Sequence, residues 1–424
     1  MLYCGLDIGS TNIKVVLADE DGRSRWVKAV ATPRRHDGIG IATDAAALVT
    51  MLEDMIIEGW QAIGGGKPLA AIAATGVGED GINADAELQP LGLVIPWFDK
   101  RALPERDAFA AAYALTRVTF YTTATKWMWL RRHRADEIGA AKLWIALTDY
   151  ASSIWCGTPF MSETLAARTG CYDVFERRWV KEALDFCQAP PLPRVLKAGD
   201  VAGTVQSNRL RSCGAAGAAT VIVAGGHDHP IASSTIQRIN AQSRIDSIGT
   251  ANAIYGETKV SQPDLAGSNL EVSVPARGGP GIALIGVTEF SATLMESFGG
   301  EAAVRKYLAL PHLPIAGADD PEAARLHRVL EDMALQAQRH LADMHRAGVP
   351  AGPIFATGGW SRSAGLMELR ASIFGEAIYV IDEPELAGLG AALLGLEGAT
   401  GVAARFTPQK PPHQIDPVAG WRRA

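Results

Sequence analysis

Several features that would fix a function at once are missing from this chain. Its opening has no Gly-x-x-x-x-Gly-Lys, and no Gly-x-Gly-x-x-Gly leads from its first strand into a helix. Neither the P-loop nor the dinucleotide fingerprint therefore applies there. Positive charge is not in excess: 40 Lys and Arg stand against 46 Asp and Glu, a net charge of −6. That argues against a nucleic-acid partner, which would call for a basic stripe. Cysteine is sparse, and the five present (Cys4, Cys156, Cys171, Cys187, Cys213) are scattered, odd in number and without metal-type spacing. They read as buried or idle thiols in a reducing compartment. No apolar run is long enough to span a bilayer. The first residues show no basic stretch followed by an apolar segment and a small-residue cleavage site. A soluble, cytoplasmic protein with no membrane partner is expected. The rest is ordinary: 48% apolar and 20% charged residues over 424 positions, enough for two domains and a substantial core.

The most informative segment is Asp7-Ile8-Gly9-Ser10-Thr11, a tight turn between apolar runs at 2–6 and 13–18. A third run at 25–30 follows the Asp19-Glu20-Asp21-Gly22 turn, so the chain opens as a three-stranded meander. Such a turn offers backbone N–H groups, two hydroxyls and a carboxylate. Oriented backbone donors hold phosphates, and a carboxylate takes Mg²⁺ directly or through water. The same residues also make an ordinary Gly-Ser hairpin turn.

Further along, residues 43–60 carry apolar side chains at helical spacing, and 69–74 are strand-like and end at Thr75-Gly76. Residues 142–156 read as a buried helix carrying Asp149-Tyr150. A short β-branched strand at 221–224 runs into Gly225-Gly226-His227-Asp228. Then comes an echo of the beginning: strand 245–248, the turn Gly249-Thr250, and an extended segment at 252–255. Two Gly-plus-hydroxyl turns in separate halves suggest an internal structural duplication. Residues 321–346 form a long amphipathic helix, stopped by Gly348 and Pro350. Ile354-Phe355-Ala356-Thr357-Gly358-Gly359 is a strand ending in two glycines, followed by a helix capped by Ser361 or Ser363. Glycine lets the main chain approach a flat ligand or a phosphate closely. A strand at 378–381 precedes a helix at 385–396 rich in small residues, where Gly388 and Gly390 fit close packing.

In this order the segments resemble the FGGY carbohydrate kinases, within the actin-like, heat-shock-chaperone-like and sugar-kinase ATPase superfamily. The resemblance covers residues 1–396. It rests on Asp7-Ile8-Gly9-Ser10-Thr11, Pro96-Trp97-Phe98-Asp99-Lys100-Arg101, Thr125-Lys126-Trp127-Met128-Trp129-Leu130 and Asp149-Tyr150. It continues through Leu165-Ala166-Ala167-Arg168-Thr169-Gly170-Cys171-Tyr172-Asp173, Gly226-His227-Asp228, Ile248-Gly249-Thr250, Gly358-Gly359 and Glu385-Leu386-Ala387-Gly388-Leu389-Gly390-Ala391-Ala392. It implies an α/β fold of two ribonuclease-H-like domains with an interdomain cleft, the actin-like ATPase fold. Residues 1–233 would form the sugar-binding domain and 234–424 the ATP-binding domain.

The implied activity is phosphorylation of a hydroxyl of a small sugar, ketose or polyol by ATP with Mg²⁺. Phosphoryl transfer asks the protein mainly to position reactants and neutralise charge, and one group must accept the hydroxyl proton. Asp228 matches the family's catalytic base; an aspartate after a Gly-Gly turn can also be a cap. Asp7 would organise Mg²⁺. Gly9, Ser10 and Thr11 would contact the phosphates from one side, with Gly249 and Thr250 closing from the other, and Gly358 and Gly359 would admit adenine and ribose. For the acceptor, Glu79 and Asp80 in Thr75-Gly76-Val77-Gly78-Glu79-Asp80-Gly81, with Trp97 and Asp99, are the candidates. Buried carboxylates discriminate between hydroxylated ligands because a missing hydroxyl leaves them unpaired. A surface turn for Glu79 and core packing for Trp97 are the plain alternatives, and Lys14 reads as solvated.

The chain departs from the family in being short. It also has Ala251-Asn252 after the second turn, and His229-Pro230, bulkier than usual, after Asp228. A non-kinase ATPase or a catalytically silent sugar-binding member of the superfamily are the competing readings. A homodimer is compatible with all of them.

Overall fold

The structure is a computed structural model that describes residues 1–113, 118–298, 304–305, 308 and 321–419. Packing gathers Met1–Ile239, Val272–Pro280 and Glu385–Thr407 into one compact unit, and Asn240–Glu271, Gly281–Pro384 and Pro408–Ala424 into a second. These units do not follow a single cut at 233/234. The reason lies in the small-residue helix Leu386–Thr400, which packs directly on the first unit's sheet. A Cβ on Gly5 would stand 1.8 Å from the Gly388 carbonyl oxygen, and one on Gly390 would stand 2.3 Å from Thr235 Oγ1. Backbone meets backbone here, as the close-packing reading of Gly388 and Gly390 anticipated.

The first unit's sheet runs in the order Val201–Thr204, Ala216–His227, Leu69–Gly76, Leu2–Ile8, Asn12–Asp19, Ser24–Ala31. The last three strands are the expected antiparallel meander. Leu69–Gly76 adds parallel to Leu2–Ile8, and Ala216–His227 parallel to Leu69–Gly76. The inner strands are buried nearly throughout, whereas the edge strand Ser24–Ala31 alternates between half-buried and exposed, as a one-sided edge should. The helix Ala45–Ala62 begins where the Asp44 side chain accepts from the Ala47 amide at 3.0 Å, satisfying one of the orphan donors of its first turn.

The second unit repeats the plan. Arg244–Ile248, Ala251–Thr258 and Ile282–Glu289 form an antiparallel meander. Ile354–Thr357 joins parallel to Arg244–Ile248, and Ile378–Val380 parallel to Ile354–Thr357. The duplication suggested by two similar turns is thus a repeated strand order: a meander, then two parallel strands on the far side of its first strand. The helix Pro321–Arg346 has the bounds read from its periodicity, and Gly348 at φ +88° follows it.

One expected element is corrected. Residues 142–156 are not a single helix: Leu143–Ala146 is a strand paired with Gly81–Ala84, and the helix begins at Leu147. A four-residue apolar run has no periodicity of its own, and its ladder partner lies some sixty residues earlier in the chain. Among the described residues no helix is long and apolar enough to cross a membrane, and all five cysteines are free thiols.

Candidate active site

In the first unit three strands end at one level. Asp7 pairs with Thr75 and Ile8 with Gly76; Thr75 in turn pairs with Gly226 and Gly76 with His227. This register carries Asp7 and Asp228 to the same sheet edge. The glycines make the approach possible: a Cβ on Gly76 would lie 2.4 Å from the Ile8 carbonyl oxygen, and one on Gly225 would lie 1.9 Å from that of Ala74. Behind them, Thr164 Oγ1 accepts from the His227 amide at 2.9 Å and Thr75 Oγ1 donates to the Gly226 carbonyl at 2.9 Å, which fixes the chain just before Asp228.

Lys14 faces Asp7 across the hairpin. Its Nζ is 3.7 Å from Asp7 Oδ2 and 2.9 Å from Glu385 Oε2, so the solvated reading of Lys14 is overturned. The signal was available in the turn: with residues 9–12 closing the hairpin, positions 7 and 14 lie directly opposite and share a face. Burial, and then the charge of Asp228, push the Asp7 carboxyl up to about 7; Glu385 adds to this and Lys14 opposes it. Three carboxylates against one ammonium leave an excess of negative charge, an environment that suits a hard divalent cation with oxygen ligands.

Asp228 opens the helix Asp228–Gln237. Its Oδ1 accepts from the His229 amide at 2.7 Å and lies 3.2 Å from His227 Nε2. Burial, then the positive charges of Arg168 and His229, hold His227 well below its ordinary pKa, so a neutral imidazole stands beside Asp228. Both contacts use Oδ1. Among the described residues Oδ2 has no protein partner, and the side chain is 31% exposed.

The acceptor candidates cluster nearby. Glu79 is buried rather than on a surface turn, and its Oε1 accepts from Arg168 Nε at 2.7 Å and lies 2.6 Å from Nη2. Asp80 is 3.3 Å from Lys126 Nζ, which also donates to the Ile95 carbonyl at 3.1 Å. Burial raises both carboxyls, and their cations oppose the shift. The Trp97 amide hydrogen-bonds Asp80, and the half-buried indole meets Tyr121 edge-on at 6.1 Å. Asp99 accepts from the Arg101 amide at 2.8 Å and from its Nη2 at 2.6 Å, within an ion cluster that includes Asp37 and Arg134. Its carboxylate is therefore already engaged.

At the turn itself, Gly9 N donates to the Asn12 carbonyl at 3.1 Å. The amides of Ser10 and Thr11 donate to no other described residue, and Thr11 is exposed. Those unspent donors fit an anion. In the second unit, Gly249 N donates to the Ala251 carbonyl at 2.9 Å, and the Ser291 amide and hydroxyl anchor Thr250 and Gly249 from behind. Gly358, at φ +97°, could not carry a Cβ, which would lie 2.4 Å from the Ile248 carbonyl oxygen; beside Gly359 there is open space. A flat ligand has access to that backbone. Asn252 turns away, buried against Asp246 and Arg370, so the second turn loses that side chain as a phosphate contact. Ser363, not Ser361, caps the following helix, accepting from the Leu366 amide at 3.3 Å.

Family models of the FGGY carbohydrate kinases match this chain twice, the N-terminal domain over residues 2–234 and the C-terminal domain over 297–399. The chain belongs to the FGGY family of carbohydrate kinases. It is 24% identical to xylulose kinase of Escherichia coli (strain K12) over 299 residues, a match spanning 65% of this chain and 59% of that protein. With L-fuculokinase of the same organism it shares 22% over 441 residues, covering 93% and 91% of the two chains. The crystal structure of xylulose kinase from Rhodospirillum rubrum superposes with a TM-score of 0.86 at 19% identity, covering 99% of this chain and 95% of that one. The fold is accordingly the two-domain α/β fold of the actin-like ATPases, as the order of motifs implied.

The sequence reading of this FGGY kinase missed Arg34 as well as Lys14. The Arg34 guanidinium donates to the Ser10 carbonyl and to Thr43 Oγ1. Nothing in its local sequence signals a turn some two dozen residues earlier.

Proposed function

We propose that this FGGY family member is an ATP-dependent kinase that phosphorylates a hydroxyl of a small sugar, ketose or polyol, with Asp228 as general base. The observation that carries the reading is the state of the Asp228 carboxylate: Oδ1 is tethered by the His229 amide, with a neutral histidine 3.2 Å away, and among the described residues Oδ2 has no partner. A base must present one unencumbered oxygen to the hydroxyl it deprotonates. Tethering of the other sets the direction of that oxygen.

Asp7, assisted by the surrounding negative charge, would hold Mg²⁺, whose role is to neutralise charge on the phosphoryl oxygens. Ser10 and Thr11 present amides to the phosphates, with Gly9 giving the turn its close approach. Gly249 and Thr250 bind phosphate in the same manner, and Gly358 and Gly359 accept the flat part of the nucleotide. Glu79 and Asp80, already balanced by Arg168 and Lys126, accept hydrogen bonds from the acceptor's hydroxyls at their remaining lone pairs. Trp97 covers its carbon skeleton. Asp99 acts by placing Arg101 rather than by touching the acceptor. Relatives named for different sugars leave the acceptor's identity to experiment.

A coupled assay of ADP release against ketoses, polyols and sugar acids tests the proposal. Acceptor-dependent release, abolished by Asp228→Asn, supports it. ADP release indifferent to every acceptor would point to the non-kinase ATPase instead.

A further inference from the structure

We infer that Arg34 binds the acceptor, that it shares one acceptor hydroxyl with Asp80, and that the acceptor is uncharged. This rests on the kinase reading above and narrows its acceptor to a ketose or polyol rather than a sugar acid.

The hydrogen bonds of Arg34 show which way it faces. It opens the short strand Arg34–His36, and its terminal nitrogens donate to the Ser10 carbonyl and to Thr43 Oγ1. All the described peptides are trans, and in a trans peptide the carbonyl points away from the following N–H. The Ser10 carbonyl therefore faces away from the Thr11 amide. In the same way Thr32 Oγ1, which donates to the Gly9 carbonyl at 2.8 Å, lies opposite the Ser10 amide. Arg34 thus stands on the side of the turn turned from the phosphate donors.

What it meets there belongs to the acceptor segment. Its guanidinium lies 5.3 Å from the centroid of the Phe98 ring, and Phe98 meets Trp97 edge-on at 5.8 Å. Trp97 in turn hydrogen-bonds Asp80 through its amide. Burial pushes the Asp80 carboxyl up, and Lys126 and then Arg34 oppose this; burial lowers Arg34, and the charge of Asp80 opposes that. The two groups feel each other without touching: among the described residues Asp80 pairs with Lys126 at 3.3 Å, and Arg34 has no carboxylate within ion-pair distance. A hydroxyl suits such a gap, because it gives its proton to a carboxylate and accepts an N–H from a guanidinium at once. Arg34 is half-buried, and two of its five N–H donors are spent, which leaves three for that bond.

The charges of the locus balance without an anionic acceptor. Glu79 pairs with Arg168 at 2.6 Å. A Cβ on Gly78 would lie 2.9 Å from Arg168 Cγ and 3.1 Å from His227 Cδ2, so Arg168 adjoins the histidine beside Asp228. Three carboxylates (Glu79, Asp80, Asp228) thus face three cations (Arg168, Lys126, Arg34). A sugar acid would bring a fourth negative charge with no cation left to answer it, and an unanswered charge taken out of water is costly.

Titration calorimetry tests this without turnover, using xylulose, L-fuculose and ribitol as uncharged probes and gluconate and xylonate as anionic ones. At least one uncharged probe should bind the wild-type protein about tenfold or more tightly than either anion. Arg34→Met should weaken binding of that probe about tenfold, the loss of one bond from a charged donor, and leave MgADP within about twofold. Arg34→Lys, which keeps the charge but not the planar fork, should recover part of the loss and carries the test if Arg34→Met unfolds. Analogues of the bound probe that each lack one hydroxyl separate contact from mere support of the fold. For one of them the Arg34→Met penalty should shrink to within about twofold, because the bond is already missing. A penalty equal for every analogue, tighter binding of an anion, or no binding of any uncharged probe would overturn the assignment. Failure of the kinase reading would look different: the expected binding pattern, with no acceptor-dependent release of ADP from MgATP by the wild type.

Discussion

The two sheets carry the same Ile-Gly-hydroxyl turn at the same topological place, Ile8-Gly9-Ser10 in one and Ile248-Gly249-Thr250 in the other, yet they differ in what stands beside it. Before the first turn is Asp7, next to Thr75 and opposite Lys14; before the second is Ser247, next to Thr357 and opposite Ala253. The second sheet has an acidic residue too, but one position earlier. Strand alternation sends Asp246 to the other face, where Arg370 donates to it at 2.7 and 2.9 Å and Asn252 at 2.7 Å. In one unit the carboxylate is left in excess of its cations at the strand ends. In the other it is neutralised inside the core. A repeated scaffold thus carries an excess of negative charge beside the turn of one copy and a neutral backbone turn on the other.

The comparison can be broken by exchanging the chemistry at equivalent positions. Asp7→Asn should lower kcat by about a hundredfold or more, since a metal-held charge is lost from the phosphoryl group. Ser247→Ala at the matching place should change it by no more than about threefold. Steady-state ADP release reads both, and similar losses would mean that the two turns are not functionally distinct.

On the stability side the asymmetry reverses. Arg370→Met should cost about 3–5 kcal/mol by leaving the buried Asp246 carboxylate without its cation, with only Asn252 bonded to it, measured as a drop in denaturant midpoint; a wild-type midpoint would show that the ion pair adds nothing to the fold. A smaller effect, about 1–3 kcal/mol, is expected for Gly5→Ala, whose Cβ would be forced into the backbone of the helix Leu386–Thr400. Activity tests that account independently, because the same helix is preceded by Glu385, a partner of Lys14.

The finest discrimination comes from pH. An Asp7 carboxyl pushed up to about 7 is protonated below that value, and the proton competes with Mg²⁺. The half-saturating Mg²⁺ concentration should therefore be flat above pH 7 and rise about tenfold per unit below it. A curve without a break between pH 6 and 8 would contradict the raised Asp7 carboxyl that burial, and then the charge of Asp228, produce.

Much of this was legible in the sequence because it depends on local pattern. The meander, the helix Pro321–Arg346 and the glycine-ended strand Ile354–Thr357 declare themselves through apolar spacing and punctuation. Asp7 and Asp228 stood out because each sits where a strand gives way to a turn or helix. What escaped depends on partners far away in the chain. Leu143–Ala146 is a strand only because Gly81–Ala84 pairs with it, and Arg34 reaches the Ser10 turn through a single hydrogen bond to the Ser10 carbonyl. Asp99 has the residue type of a hydroxyl ligand, but Arg101 occupies it. The return of Leu386–Thr400 to the first unit follows from backbone-to-backbone contact, for which a run of small residues is a hint and not an address.

The most direct measurement is a single-turnover experiment with Asp228→Asn in the presence of ATP, Mg²⁺ and an acceptor that the wild type uses. General-base loss predicts a phosphoryl-transfer rate lower by about 10³-fold or more, with nucleotide binding and thermal midpoint unchanged because the side chain is partly exposed and only lightly bonded. A transfer rate within about threefold of wild type would contradict the role given to that carboxylate.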